Sequence, residues 1–317
     1  MKRCLTACLF AWIALIVVGN PMALAQEPEP SDDFPQDMIE IDTQTVGDVD
    51  LTMALARLDT ALRVSLGIEG DQTAVGLVDM NTGRFAMLRA DTQYYAASVP
   101  KIAILLAFLH EHRDAPASID ADTRHELGLM IKRSDNALAA KYSKLLGLKT
   151  IAEILTLPDY KLYDPMHGGG LWVGKHYGKS AERNRDPLAG ESHAATVRQL
   201  LRYYLMLEQK TLINPEASEM MREIFESPGL DHLQSKFILG LAGRDVQVIR
   251  KSGTWNAWHA DTVIVTGEGR HYILVSLTHH EKGADYLIQM ARSIDDWATL
   301  GFEGEATIQP ATQPEAN

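Results

Sequence analysis

Ser98 and Lys101 pair a hydroxyl with an amine, two groups that can carry out nucleophilic catalysis together. They lie in the sequence SVPK, directly before the apolar run IAILLAFL that ends at Leu109. If a helix starts near Ser98, Lys101 lies one turn further along the same helical face, so the hydroxyl and the amine can meet. A capping serine followed by an unrelated lysine has the same spacing, so the pair alone does not define a site.

The residues around the pair favour a buried helix. Pro100 is tolerated in the first turn of a helix, where its missing N–H would have no partner. The run after Lys101 is apolar on every side, which is typical of a helix that is buried all round. The helix dipole favours negative charge at the Ser98 oxygen, and burial lowers the pKa of the Lys101 amine towards that of a working base.

Two further polar groups are candidates for the same site. The first is a triplet between two predicted helices: Ser134, Asp135 and Asn136. The second follows a strand-like segment and comprises Lys251, Ser252, Gly253 and Thr254. Taken alone, the triplet is explained equally well as a helix cap.

Hydrophobic periodicity predicts the elements that position these groups. An amphipathic helix is expected at 50–66 and a β-hairpin at 74–89. Later helices are predicted at 122–132, 137–146, 193–208 (capped by Ser192), 215–226, 230–242 and 283–297, and later strands at 246–250, 261–266 and 271–278. Strands at both ends with helices between them predict an α/β (α+β) fold, with one antiparallel sheet built from both chain ends, packed with helices, and an all-helical subdomain.

The segment 158–192 is a long irregular stretch, rich in glycine, with Trp172, His176 and Tyr177 among the glycines. A loop of this length inside a compact domain is usually functional or disordered, and the aromatic residues argue for order. We therefore expect a packed loop that lines a site.

The two ends of the chain differ in composition from its middle. Residues 1–25 have a basic start, an apolar run and an Ala-Leu-Ala end, which predicts a signal peptide cleaved after Ala25 and export to the periplasm or medium, with no stable membrane anchor. Residues 26–49 are expected to be a flexible acidic leader and 303–317 a disordered tail, leaving a catalytic domain at 50–302.

Cysteine and charge exclude several functions. Both cysteines, Cys4 and Cys8, lie in the predicted signal peptide, so the mature chain cannot use disulfides, thiolate catalysis or cysteine metal sites. Removal of the signal leaves 28 basic and 42 acidic residues, a formal charge near −14, which makes nucleic acid an unsuitable partner. A monomer is expected.

Taken in order, Ser98-x-x-Lys101, Ser134-Asp135-Asn136 and Lys251-Ser252-Gly253 resemble the three motifs of the serine β-lactamase and penicillin-binding protein superfamily. The layout is most similar to the class A β-lactamase-like serine hydrolases. The resemblance covers nearly the whole mature domain, and it implies an acyl-serine mechanism with no cofactor and no metal.

The resemblance also implies a role for each motif residue. Ser98 would attack a carbonyl, Lys101 would accept its proton, and Ser134 would relay a proton to the leaving nitrogen. The N–H groups of Ser98 and Thr254 would form the oxyanion hole. The substrate would be bound by Asn136, Lys251, Ser252 and Gly253, with Asn136 also orienting Lys101.

The sequence departs from the class A pattern in two places. The family's loop carries a Glu-x-x-Leu-Asn segment whose glutamate activates the deacylating water, whereas residues 170–178 here read GLWVGKHYG. The available substitutes are Glu182, Glu191, His176 and Tyr177, and their spacing selects none of them. The stretch between Lys101 and Ser134 is also shorter than usual in the family, which predicts a more open cleft.

On these grounds we expect β-lactam hydrolysis, with a β-lactam or a cell-wall peptide as the small-molecule substrate. Alternatives within the fold are a D-alanyl-D-alanine peptidase (penicillin-binding protein) and an esterase. A remote alternative is a non-catalytic module that binds the cell wall. The segment 110–114 echoes the His-x-His-x-Asp start of metallo-β-lactamases, but the further histidine is missing, so no metal site is expected.

Overall fold

The computed structural model describes residues 38–42, 45–304 and 306. The predicted signal peptide, with its cleavage site after Ala25, lies outside these residues. Most of the predicted tail also lies outside them. Both therefore stay predictions.

A five-stranded antiparallel sheet forms the centre of the fold. Its strands run in the order β2 (Phe85–Leu88), β1 (Thr73–Asp79), β10 (Arg270–His279), β9 (Trp258–Gly267) and β8 (Gln247–Trp255). All seven residues of β1 are buried, as expected of a strand with both faces of its sheet covered. Because β1 pairs with β10, the two ends of the chain are joined in one sheet, which confirms the predicted architecture.

Helices cover both faces of this sheet. On one face α1 (Val49–Leu66), α8 (Phe237–Gly240) and α9 (Gly283–Ala298) share a core with the strands. On the other face α6 (Val197–Glu208) packs against β1 and β10. Among the residues that the structure describes, no helix is both long and apolar enough to span a membrane.

The apolar run after Ser98 forms α2 (Lys101–Glu111), which is buried from Lys101 to Leu109. Four helices surround it and make up the helical subdomain: α3 (Ala121–Lys132), α4 (Asn136–Leu146), α5 (Leu148–Thr156) and α7 (Pro215–Glu226). The α-helix begins three residues after Ser98. The Ser98 carbonyl nevertheless accepts a hydrogen bond from Lys101 N–H at 3.3 Å, so the chain already turns there.

The long loop is packed, as expected, and it contains short strands. β4 (Tyr163–Asp164) pairs with β5 (Gly169–Gly170). A second small sheet joins β3 (Tyr94–Tyr95), β7 (His193–Ala195) and β6 (Trp172–Val173). The loop is therefore fastened to the segment that leads into Ser98.

Two of the predicted helices are wrong in part. The helix predicted at 193–208 begins at Val197, because Thr196 rather than Ser192 accepts the capping hydrogen bond and residues 193–195 pair as a strand. The helix predicted at 230–242 is reduced to α8. There the Arg250 guanidinium binds the carbonyl oxygens of Leu233 and Ser235, and Lys236 has φ +49°, which an α-helix does not allow.

The expected solvated leader is wrong around Ile41, whose side chain is only 1% exposed. Arg202 donates to the carbonyl oxygen of Ile41 at 2.9 Å, and Arg198 donates to that of Asp42 at 2.7 Å. An apolar side chain and two bound carbonyl groups therefore hold this segment against the domain.

Asp59 on α1 ties four parts of the fold together. Its carboxylate, 1% exposed, accepts hydrogen bonds from Arg63, Thr73, Arg89 and Tyr286 at 2.6–3.0 Å. Burial opposes ionisation of this group. The hydrogen bond from Tyr286 and the charge of Arg89 outweigh that effect and lower the pKa of Asp59.

We expect Asp59→Asn to lower the free energy of unfolding by about 2–3 kcal/mol at pH 7, because it removes the buried carboxylate that pairs with the partly exposed guanidinium groups of Arg63 and Arg89. Since the pKa is lowered in the folded state, this stability is present above the unfolded pKa and is lost as the pH falls. The gap between wild type and variant should therefore narrow below about pH 4. Denaturant unfolding at several pH values measures it. Asp50→Asn, on the exposed side of the same helix, serves as the control and should change stability by less than about 0.5 kcal/mol.

Candidate active site

The Lys101 side chain is completely buried and is directed at the turn between α3 and α4. Its Nζ donates to the carbonyl oxygen of Ser134 and, at 2.8 Å, to Oδ1 of Asn136. Nζ also lies 3.1 Å from the Ser134 hydroxyl oxygen. The first two predicted motifs are thus in direct contact.

The Ser134 turn is shaped by its neighbour Asp135. The Asp135 carboxylate caps α4 by accepting from Leu138 N–H at 2.8 Å, so the cap interpretation of the triplet is right for this residue. Ser134 itself has φ +59°, a left-handed conformation that is uncommon for a serine. This conformation places both the Ser134 carbonyl and its hydroxyl within reach of Lys101.

Lys251 reaches the same hydroxyl from β8. Its Nζ lies 3.0 Å from Ser134 Oγ and donates to the carbonyl oxygen of Ser252 at 2.6 Å. The Lys251 side chain is 1% exposed. The Ser134 hydroxyl therefore bridges two buried amines, which come from a helix and a strand that are far apart in sequence.

Burial changes the proton affinity of both amines. Desolvation lowers the pKa of Lys101 to about 7, although the negative charge of Asp135 opposes the shift. The pKa of Lys251 is lowered well below its usual value, by desolvation and by the charges of Lys101 and Arg250. A neutral amine is therefore available beside Ser134 near neutral pH, as a general base requires.

Ser98 is half-buried, so part of the residue is open to solvent. Within the described part of the chain, the structure shows no hydrogen bond from the Ser98 hydroxyl to Lys101. The Lys101 amine instead contacts Ser134 and Asn136. Ser98 N–H likewise has no acceptor among the described residues, as expected of a donor kept for a ligand.

Gly253 brings β8 against the Ser98 turn. A Cβ atom at this position would lie 2.3 Å from the carbonyl oxygen of Ala96 and 2.7 Å from Ser98 N, so any side chain here would force the two segments apart. On either side of Gly253, Ser252 is 8% exposed and Thr254 is exposed. The strand thus passes the Ser98 backbone at Gly253, and Thr254 is the next residue along it.

One of the four predicted deacylation candidates, Tyr177, lies in the site. Its ring is 4.7 Å from Lys101 Nζ, and its hydroxyl donates to the carbonyl oxygen of Ala97, the residue before Ser98, at 3.0 Å. His193 packs against the ring with centroids 4.3 Å apart. Desolvation raises the pKa of Tyr177 well above its usual value, so the hydroxyl keeps its proton and cannot act as a base.

The other three candidates point elsewhere. The buried His176 ring bridges Ser143, at 2.9 Å, and the exposed Glu182, at 3.0 Å, and thereby fastens the loop to α4. Glu191 is half-exposed and its charge acts on Tyr95. No carboxylate among the described residues forms a hydrogen bond with Ser98 or Lys101.

The histidines of the segment 110–114 take part in packing. His110 is hydrogen-bonded to the Tyr160 hydroxyl at 2.7 Å, and His112 stacks on Phe108. In the described ranges, no three His, Cys, Asp or Glu residues are grouped so that they could hold a metal ion.

Sequence reasoning missed a group of charges behind β8. Arg250 and Asp261 form a buried ion pair, with Nη2 and Oδ2 2.6 Å apart. Lys236, 3% exposed, donates to the carbonyl oxygens of Gly253 and Ala260. The alternation of β8 could have suggested Arg250, but Lys236 lies in a segment predicted to be helical and gave no signal.

The sequence model of the beta-lactamase enzyme family matches residues 113–297, more than half of the chain. The protein therefore belongs to this family, and it is a serine hydrolase enzyme. The matched segment includes Ser134 and Lys251 but begins after Ser98 and Lys101. A search of curated proteins gave no match.

Solved structures share the fold at low sequence identity. A β-lactamase from Desulfarculus baarsii DSM 2075 aligns with a TM-score of 0.61 and 15% identity, over 78% of this chain and 97% of its own. PBP-A gives a TM-score of 0.57 and 16% identity over 78% and 97%. A β-lactamase from Sphaerobacter thermophilus DSM 20745 gives 0.57 and 14% over 76% and 96%. The antiparallel sheet with its helical subdomain is thus the β-lactamase/transpeptidase-like fold.

We expect Gly253→Ala to lower the free energy of unfolding by about 1–3 kcal/mol, because the added methyl group must push β8 away from the Ser98 turn. Thermal or denaturant unfolding measures the loss. Gly70→Ala is the control, since its Cβ would meet only Arg63 at an ordinary 3.5 Å. Equal stability of the two variants would contradict the close approach of β8 to Ser98.

Proposed function

We propose that the protein is an exported serine hydrolase that reacts with β-lactams through an acyl-serine intermediate and hydrolyses them. The observation that supports this most is the Ser134 hydroxyl, 3.1 Å from Lys101 Nζ and 3.0 Å from Lys251 Nζ, beside an accessible Ser98. Such an arrangement can take a proton from a nucleophile and return one to a leaving group.

In the acylation step, Ser98 Oγ attacks the lactam carbonyl and its proton passes to the neutral Lys101 amine. The oxyanion is stabilised by the N–H groups of Ser98 and Thr254, each worth roughly 3 kcal/mol in comparable enzymes. The C–N bond then breaks, and Ser134 delivers a proton to the leaving nitrogen. Protons from Lys101 or Lys251 restore the Ser134 hydroxyl.

Lys251 and Ser252 are proposed to bind the substrate carboxylate, while the Asn136 amide binds the acyl side chain. Buried cations favour an anionic ligand because their charge is only partly compensated inside the protein. In the second half-reaction, water attacks the Ser98 ester and releases the acid. With Tyr177 rather than a carboxylate against Lys101, we expect this step to be slower than acylation.

A second candidate is a D-alanyl-D-alanine peptidase of the penicillin-binding type. The position of the Tyr177 ring favours it, because that ring occupies the contact with Lys101 that a water-activating carboxylate would need. One solved structure with the same fold is an acyl-enzyme complex of a PBP-A mutant with penicillin G. The chemistry up to the acyl-enzyme is common to both candidates.

Export rests on the sequence of residues 1–25, with cleavage after Ala25. It fits an enzyme that meets β-lactams or cell-wall peptide outside the cytoplasm. Fractionation of the expressed full chain, with the N-terminus of the mature form sequenced, tests it. A mature chain that starts at Met1 would contradict it.

Incubation with penicillin G is expected to add the mass of one intact penicillin molecule to the protein, because ring opening loses no atoms. Ser98→Ala should show no adduct and no turnover. Intact-mass spectrometry over time measures both. Adduct formation or hydrolysis by Ser98→Ala would contradict the assignment of the nucleophile.

The lifetime of the adduct separates the candidates. An adduct that disappears while penicillin is consumed supports the β-lactamase, and one that persists supports the peptidase. Wild type that forms no adduct and consumes no penicillin would support the non-catalytic module. Turnover of simple acyl esters alone would indicate an esterase.

The acylation rate is expected to rise with pH through about 7, because the pKa of Lys101 is about 7 and only the neutral amine accepts the Ser98 proton. Lys101→Met should lower the rate by about 10²–10⁴-fold and abolish this rise. Stopped-flow acylation between pH 5 and 8 measures it. A profile that is flat in wild type would contradict Lys101 as the base.

A further inference from the structure

Lys236 is a buried lysine whose amine donates to two backbone carbonyl groups. Its Nζ lies 2.5 Å from Gly253 O and 3.1 Å from Ala260 O, and 3% of the residue is exposed. Burying an ammonium group is costly unless its interactions compensate. Lys236 also adopts φ +49°, which adds strain.

The nearest anion, Asp261, is already engaged. Its two carboxylate oxygens bind the Arg250 guanidinium at 2.8 and 2.6 Å and also accept from the backbone N–H groups of Phe237 and Thr262. Lys236 thus makes no direct ion pair among the described residues. Charge pairing that stabilises the fold therefore compensates little of the free-energy cost of burying the Lys236 ammonium group.

The carbonyl that Lys236 binds belongs to the same peptide unit as Thr254 N–H. That unit is trans, so its N–H points away from the Gly253 oxygen, across the strand. β8 is an edge strand, and its residue Gly253 faces the Ser98 turn. A hydrogen bond from a cation to one end of a peptide polarises the unit and strengthens the donor at its other end.

We propose that Lys236 is a positioning residue for the oxyanion hole: its ammonium holds the Gly253–Thr254 peptide and polarises it, so that Thr254 N–H binds the oxyanion more strongly. The inference rests on the proposed acyl-serine function. Lys236 would then stabilise the transition state of acylation, and this effect would not depend on the groups that the substrate carries beyond its carbonyl.

The charge on Lys236 is sensitive to pH. Desolvation lowers the pKa of Lys236 to about 8, with Arg250 adding to the effect and Asp261 opposing it. Among the described residues, Lys251 and His259 also interact electrostatically with it. The ammonium is present below about pH 8 and is lost above it, so its contribution to acylation should decline on the alkaline side.

Three variants test the inference by stopped-flow acylation with penicillin G and with its methyl ester, which lacks the carboxylate. Lys236→Met should slow acylation by about 10- to 50-fold, less than the loss of a whole oxyanion donor, and equally for both substrates. Lys236→Arg, which stays charged, should restore most of the rate and remove the decline above about pH 8. Arg202→Met is the matched control, since Arg202 also binds two backbone carbonyls, of Tyr160 and Ile41, away from the site.

The results expected above support the role of Lys236, and the following results would contradict it. A loss confined to penicillin G would mean that Lys236 binds the substrate carboxylate instead. A fall in melting temperature with an unchanged acylation rate would reduce Lys236 to a structural residue, and equal slowing in Arg202→Met would do the same. If wild type forms no acyl-enzyme, the proposed function itself is wrong. If wild type and Lys236→Met are acylated at the same rate, only the inference about Lys236 is overturned.

Discussion

Four basic side chains are buried around the candidate active site, and the rest of the site depends on how far nearby carboxylates compensate their positive charge. Lys101, Lys236, Arg250 and Lys251 are each at most 3% exposed. Asp261 neutralises Arg250 directly, and Asp135 acts on Lys101 from the cap of α4. Desolvation lowers the pKa of all three lysines, and the positive charge that remains in the group favours an anionic ligand. The same constraint supplies both a base and an attraction for substrate.

The scaffold meets this constraint by bringing three distant segments to one point. α2 supplies Lys101 from a core that is apolar on every side, and the contacts that the structure describes for its amine are with Ser134, Asn136 and the Tyr177 ring. The α3–α4 turn supplies Ser134, held by the Asp135 cap. β8 supplies Lys251 and approaches Ser98 closely because residue 253 is glycine. A change in any of these supports moves a reacting group.

Much of the fold and of the candidate site could be predicted from the sequence, and the parts that could not be predicted have a physical reason. The sheet built from both chain ends followed from alternating apolar residues. The contacts of Lys101 and Lys251 with Ser134 were implied by the resemblance of the three motifs to those of the β-lactamase and penicillin-binding protein superfamily. By contrast, the helix predicted at 230–242 failed because Arg250, fixed by a distant strand, takes the carbonyl groups of Leu233 and Ser235. Lys236 gave no signal because its function depends on which peptide it meets, and the spacing of residues along one segment does not encode that.

In the proposed mechanism, acylation and deacylation depend on different parts of the structure. The acylation groups come from α2, the α3–α4 turn and β8, whose positions are set by the core. The aromatic ring that contacts Lys101 comes from the long loop. The course of this loop is fixed by the small sheet β3–β7–β6 and by the His176 contacts with Ser143 and Glu182. That loop presents Tyr177, whose hydroxyl is held by the Ala97 carbonyl and keeps its proton. Tyr177 therefore supports the Ser98 turn and Lys101. Under the proposed function, we expect Lys101 or a group of the substrate to activate the deacylating water.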